Sequence, residues 1–340
     1  MFGLGWLRAL TDARGLLEHA HHGVPRLGEG YTTDDNARAL LYLSLLPEGA
    51  RDEGLVRTYL AFLLHMQKED GRFRNGLTLD GRFEDEGEAE DPTGRAVLAL
   101  AAAQRLPPPY AGPAREALLR ALPALEGFTS LRGRAYALLG LLALPKEPFL
   151  EAAEALGEGL LRAFREAEPA WPYPGPLTYA NHRPVEALYA YGLAFRRQEA
   201  VALARRALAF LKEHYFTPGE EGLFFDPVGN RFMARGRDKP LFDQQPMEAK
   251  CALLAHLRFG ERVLAEVAFL WFHGRNRLRA PLVDAFGPMD GLTPHGPNQN
   301  RGAEALLAYL LAWQALVQGV FPQVDEGVAL GRVFALGGRP

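Results

Sequence analysis

The chain has 340 residues, 48% hydrophobic and 23% charged, the proportions of a soluble globular protein with a large core. Thirty-eight basic and 41 acidic residues leave a net charge of −3 with no long block of one sign, which argues against nucleic acid or an anionic membrane as partner. A single cysteine, Cys251, excludes an internal disulfide framework and cysteine-rich metal sites. No run of about 18 apolar residues exists to span a bilayer. The start, Met1-Phe2-Gly3-Leu4-Gly5-Trp6, reads as neither leader nor cleavage site, so a cytoplasmic protein is expected.

Amphipathic stretches alternate along the chain with runs rich in Ala and Leu on every side. The first amphipathic stretch covers 8–20, and a polar connection, 23–36, brings Tyr31-Thr32-Thr33-Asp34-Asp35-Asn36. The first apolar run opens at Ala37-Arg38-Ala39-Leu40. A second amphipathic stretch, 53–68, leads through 70–93, with Arg82-Phe83-Glu84-Asp85 and Glu90-Asp91, to Gly94-Arg95-Ala96-Val97. The third, 114–126, reaches Gly133-Arg134-Ala135-Tyr136 through only Thr129-Ser130-Leu131, so this repeat is expected to contribute least chemistry. The fourth, 148–166, precedes a connection over 167–183 bearing Trp171, Tyr173, Tyr179, Asn181, His182 and Arg183, then Val185-Glu186-Ala187-Leu188. The fifth, 197–214, precedes 217–245, which ends Phe242-Asp243-Gln244-Gln245 before Met247-Glu248-Ala249-Lys250. The sixth, 260–275, precedes 276–301, with Asp290-Gly291, His295, Asn298, Gln299 and Asn300, and then Ala303-Glu304-Ala305-Leu306.

The charged position of this motif recurs at intervals of 39 to 62 residues, each holding two helices and their connections. A helix apolar all round is buried all round, whereas an amphipathic one faces water on one side. Six such pairs predict an all-α fold, an (α/α)6 toroid over residues 1–319 with a C-terminal tail over 320–340. At most, 222–233 and that tail could form short ribbons. Pro92, Pro184 and Pro246 suit first helical turns, and Asp91 before Pro92 reads as an N-cap.

Connections this long in a compact domain are usually functional, and five of them converge on the end where the inner helices begin. Helix N-termini stabilise anions there. Carboxyls, amides and aromatic rings together suit a sugar, whose C–H faces stack on rings and whose glycosidic bond needs a carboxyl pair. The candidate catalytic acids are Asp34, Asp35, Asp91, Asp243 and Asp290. Tyr31, Trp171, Tyr173 and Tyr179 are candidate stacking walls. Asn36, Asn181, Gln244, Gln245 and Asn298 are candidate hydroxyl readers, and Arg38, His182, Glu248 and His295 complete the candidate binding set. Asp34 or Asp35 could instead cap the first inner helix. The series Arg38, Arg95, Arg134, Glu186, Glu248, Glu304 could pair across the ring (Arg134 with Glu186, Glu304 with Arg38), or supply a buried general acid. No metal-ligand spacing and no phosphate loop is present, so no cofactor is expected.

Gly30-Tyr31-Thr32-Thr33-Asp34-Asp35-Asn36-Ala37-Arg38-Ala39-Leu40, Glu90-Asp91-Pro92-Thr93-Gly94-Arg95-Ala96, Phe242-Asp243-Gln244-Gln245-Pro246 and Asp290-Gly291-Leu292-Thr293-Pro294 resemble the glycosidase-like toroid domain found next to, or fused with, group 1 glycosyltransferases. That group is similar to a branch of the six-hairpin glycosidase superfamily, and the resemblance runs from about Arg14 to Ala315. Thr93 departs from it, standing where a Ser-His prelude to Gly-Arg is expected. The resemblance implies a glycoside hydrolase acting on an oligosaccharide or glycoconjugate, here expected to invert, with a separate glycosyltransferase as possible partner. The alternatives are an epimerase using His182 and His295, a lyase using Tyr179 or His182 with Arg183, and a non-catalytic glycan-binding domain.

Overall fold

The computed structural model describes residues 4–84, 90–144 and 146–320. Asp85 and the tail beyond 320 lie outside the described residues. Twelve α-helices are described. Six form an inner ring: α2 (Thr33–Leu45), α4 (Glu90–Ala102), α6 (Leu131–Leu141), α8 (His182–Ala194), α10 (Pro246–Arg258) and α12 (Ala303–Gln318). Each packs on the next, and α12 returns to α2, so the ring closes. Around it lie α1 (Gly5–Ala9), α3 (Glu53–Met66), α5 (Pro108–Leu125), α7 (Phe149–Glu166), α9 (Gln198–Tyr215) and α11 (Arg262–Leu270).

The division follows from the side chains. In α2 every residue except Asp34 is buried, and α12 is almost as fully enclosed. In α7 the buried positions Phe149, Leu150, Ala153, Leu156, Gly157, Leu160, Leu161 and Phe164 repeat at helical spacing, leaving the other face to charged residues. The fold is therefore the (α/α)6 toroid that the alternating pattern predicts.

One outer helix differs from expectation. Over 8–20 only the residues to Ala9 are helical. Asp12 accepts from the backbone N–H groups of Arg14 (2.8 Å) and Gly15 (3.2 Å), and this local turn competes with the helix. Gly15 must also be small, because an added Cβ would stand 2.8 Å from Phe62. The apolar Leu16 and Leu17 are still buried, from irregular chain rather than from a helix. The ribbon expected over 222–233 forms instead between Phe216–Gly219 and Gly222–Phe225.

Beyond that, the long connections carry two- or three-stranded ribbons and are tied to one another. Gln244 and Leu292 exchange both backbone hydrogen bonds at 3.0 Å, and Leu177 and Met233 do the same at 2.8 and 2.9 Å. These pairs join the fifth connection to the sixth and the fourth to the fifth.

Candidate active site

A cleft of about 500 Å³ opens at the first turns of α2 and α12. Its wall draws on the first, second, fifth and sixth long connections. Glu18, Asp34, Asp35, Asp290 and Glu304 supply its inner carboxyls, and Asn75, Gln245, Asn298 and Asn300 supply amides. Of the candidates, Asp34, Asp35, Arg38, Asp290, Gln245 and Asn298 meet here.

Local chemistry fixes the α2 side. Thr32 is the N-cap, accepting from the Asp35 N–H at 3.2 Å, so neither Asp34 nor Asp35 is needed as cap. Asn36 binds backbone instead of ligand, accepting from the Leu16 N–H at 2.9 Å and donating to the Thr32 carbonyl at 2.8 Å. Tyr31 is 1% exposed and donates to Asp12 at 2.5 Å, so its ring is core and not a stacking wall.

Arg38 is the hub. It donates to Asp35 at 2.5 Å and to Glu304 at 3.3 Å, and lies 3.9 Å from Asp34. Arg95, stacked over the Tyr136 ring at 4.6 Å, also donates to Asp34. The expected pair of Arg38 with Glu304 thus exists. The other expected pair does not: Arg134 donates to the Phe128 and Gly159 carbonyls, and Glu186 is held by Arg183 at 2.7 Å and Arg258 at 3.0 Å. Nearer guanidinium groups satisfy Glu186 first.

Glu18 joins the site from the segment read as an outer helix. Its N–H donates to the Gly30 carbonyl at 3.1 Å and its carbonyl accepts from the Ala303 N–H at 2.9 Å, stringing it between the first and last inner helices. Burial, with Asp35 adding repulsion, pushes its carboxyl up to about 7. Burial also pushes Asp35 and Asp290 upward, the former against the attraction of Arg38 and the latter against the Gly302 N–H that donates to it.

The remaining candidates lie off the cleft. Asp91 does not cap α4; it accepts from Ser130 at 2.6 Å, Arg132 at 2.7 Å and Tyr179 at 2.9 Å. Burial alone would raise its pKa, yet Arg132 and Ser130 overcome that and hold it below the usual range. Arg132 lies 3.9 Å above the Tyr179 ring, so the third repeat braces Asp91 and Tyr179 and adds nothing to the cleft wall. Asp243 is exposed, at a left-handed φ of 58°. Gln244 is buried, accepting from Trp271 and donating to Asp226, each at 2.9 Å. Trp171 and Tyr173 line a separate groove, with Trp171 edge-on to Phe210 at 4.8 Å. Asn181 is buried against Tyr215, donating to its hydroxyl at 2.7 Å. His182 is buried against Tyr215 and His256, and burial holds its pKa well below normal. His295 is exposed beyond the ribbon that carries Asn298. Glu248 is buried, accepts the Ala180 N–H, and is pushed up to about 7 by burial.

Sequence reasoning missed Glu18, His19 and Asn75. Glu18 carried no signal, because an acid in an amphipathic stretch reads as a solvated helix face.

No group of three or more His, Cys, Asp or Glu able to hold a metal ion occurs among the described residues. No described helix is long and apolar enough to cross a membrane. No family model matches the sequence, and no curated protein matches it. Solved structures do. A D-mannose isomerase superposes with a TM-score of 0.66 at 10% identity, covering 93% of this chain and 94% of its own. Cellobiose 2-epimerase from Spirochaeta thermophila gives 0.64 at 14% identity, with 98% and 94% covered. A GH76 α-mannanase from Bacteroides thetaiotaomicron gives 0.61 at 10% identity, with 98% and 96% covered. These neighbours are carbohydrate-active enzymes on one architecture, and a shared fold does not carry a reaction. This chain has the (α/α)6 toroid fold that these structures share.

Proposed function

We propose that the chain is a carbohydrate-active enzyme, a glycoside hydrolase of the two-carboxyl kind acting on an oligosaccharide or glycoconjugate. One observation carries the reading: Glu18, whose carboxyl burial pushes up to about 7, and Asp34, held by Arg95, line the same cleft. Glu18 protonates the leaving glycosidic oxygen, and Asp34 activates the attacking water. Asn75, Gln245, Asn298 and Asn300 read hydroxyls, since amides both donate and accept. The resemblance to the toroid domain found beside group 1 glycosyltransferases adds a separate glycosyltransferase as the proposed partner.

The test is release of new reducing ends from an oligosaccharide panel. Glu18→Gln and Asp34→Asn proteins that stay folded are expected to lose at least about 100-fold in kcat. Asp243→Asn, which lies off the cleft, is expected to stay within about twofold. Full activity in either of the first two, once folded, removes its assigned role. Product configuration, read by NMR, checks the expected inversion.

A sugar epimerase is the second reading, favoured by His19 against Glu18 at 3.5 Å on the cleft wall. It places no role on His182 or His295, and predicts solvent deuterium at a sugar carbon with no new reducing end.

A further inference from the structure

Four inner helices each send one cation to the middle of the ring: Arg38 from α2, Arg95 from α4, Arg183 from α8 and Lys250 from α10. All four are buried, between 2% and 5% exposed. Arg95 and Arg183 both lie over the Tyr136 ring, at 4.6 and 5.7 Å. Met247, 3.9 Å from Arg95, precedes Lys250 by one helical turn, so both side chains leave α10 on the same inward face. Arg38 also lines the cleft, which puts the cluster directly behind the cleft floor.

The arginines have counter-charges and the lysine has none. Arg38 holds Asp35 and Glu304 at 2.5 and 3.3 Å, Arg95 holds Asp34, and Arg183 holds Glu186 at 2.7 Å. No hydrogen bond or ion pair reaches Lys250 among the described residues. Burial pushes its ammonium down to about 8, and Arg183, Arg38 and Arg95 repel it further. Donors are in surplus as well, since the Nε of each of the three arginines is buried without an acceptor. The unpartnered Asp34 Oδ1 can serve Arg38 or Arg95, which still leaves the three N–H donors of Lys250 unmet. A buried charge is ordinarily paired or given up.

We propose that the middle of the ring binds a small inorganic anion, a halide such as chloride, on Lys250 with the N–H groups of Arg38, Arg95 and Arg183 around it. A monovalent ion supplies the one missing charge and accepts from several directions at once, as four cations arriving from four helices require. Groups this enclosed are closed to a sugar, so the ligand is a bare ion and not part of the substrate. The site is separate from the reaction proposed above, and its test needs no glycan.

The probe is chloride, titrated at constant ionic strength into protein dialysed against sodium gluconate, an anion too large for the site. The melting temperature is expected to rise saturably by at least about 2 °C. Lys250→Met, apolar and of similar length, is expected to lose that response. A flat response in the unaltered protein overturns the proposal and leaves Lys250 a neutral buried amine. An equal response in Lys250→Met overturns it too, because the ion then binds elsewhere. If the variant fails to fold, bromide-soaked crystals of the unaltered protein decide. An anomalous peak within about 3.5 Å of Lys250 Nζ supports the site, and bromide found only elsewhere, or nowhere, overturns it.

Discussion

Glu248 shows how one side chain can be enclosed without chemistry on the cleft. An ordinary glutamate titrates near 4.5, and burial pushes this one up to about 7 despite the donated Ala180 N–H. The folded chain thus keeps a proton that the unfolded chain releases. The stability this group supports is complete below about 4.5 and is lost as pH rises through about 7. Glu248→Gln keeps an acceptor for Ala180 and removes the charge. It is expected to raise stability at about pH 8 by roughly 1–3 kcal/mol, with little difference near about pH 4. Thermal melts at the two pH values check this, and an identical difference at both would contradict it.

Close approach between α4 and α6 explains the glycine of one repeated motif and a second glycine further along α6. On α4, an added Cβ at Gly94 would stand 2.4 Å from the Gly133 carbonyl oxygen of α6. From the other side, one at Gly140 would stand 2.7 Å from Leu98 Cα. Backbones this near leave no room for a methyl, so Gly94→Ala and Gly140→Ala should each cost about 1–3 kcal/mol by overpacking. Gly112, exposed in α5 with nothing within 4 Å of its added Cβ, is the control. There the gain in helix propensity, up to about 1 kcal/mol, is offset by crowding of the new Cβ against the Pro113 ring, so a net change of less than about 1 kcal/mol is expected. Urea unfolding of the three variants measures the signs. The motif is thus legible as a repeat in the sequence, but Gly94 is explained only by the neighbouring helix.

Across the whole molecule, the connections are held by a charge none of the motifs announces. Asp226, with 1% of its side chain exposed, accepts from Arg277 at 2.5 and 3.0 Å, Lys239 at 2.8 Å and Gln244 at 2.9 Å. It joins the fifth connection to the sixth behind the cleft wall. Asp226→Ala leaves two cations without their partner, and a loss of about 3 kcal/mol is expected, with activity on a glycan falling too. Circular dichroism unchanged in the helical region, alongside a lowered melting temperature, would match a loosened wall on an intact ring.

Alternation of all-round apolar and amphipathic segments determined the ring, because helical burial is a local pattern repeated six times. It also located Asp34, Asp35, Arg38, Asp290, Gln245 and Asn298, since long polar connections ending at helix starts mark where a chain can hold chemistry. Tertiary structure decided which of the marked residues face one another. Tyr31, Asn36, Asn181 and Gln244 are the same residue types as a sugar site uses, yet each satisfies backbone or a neighbouring side chain in the core. Glu18 went unmarked and reached the cleft because closing the ring lays its segment across the starts of α2 and α12. Ring closure sets contacts between residues far apart in sequence, and no local pattern encodes them.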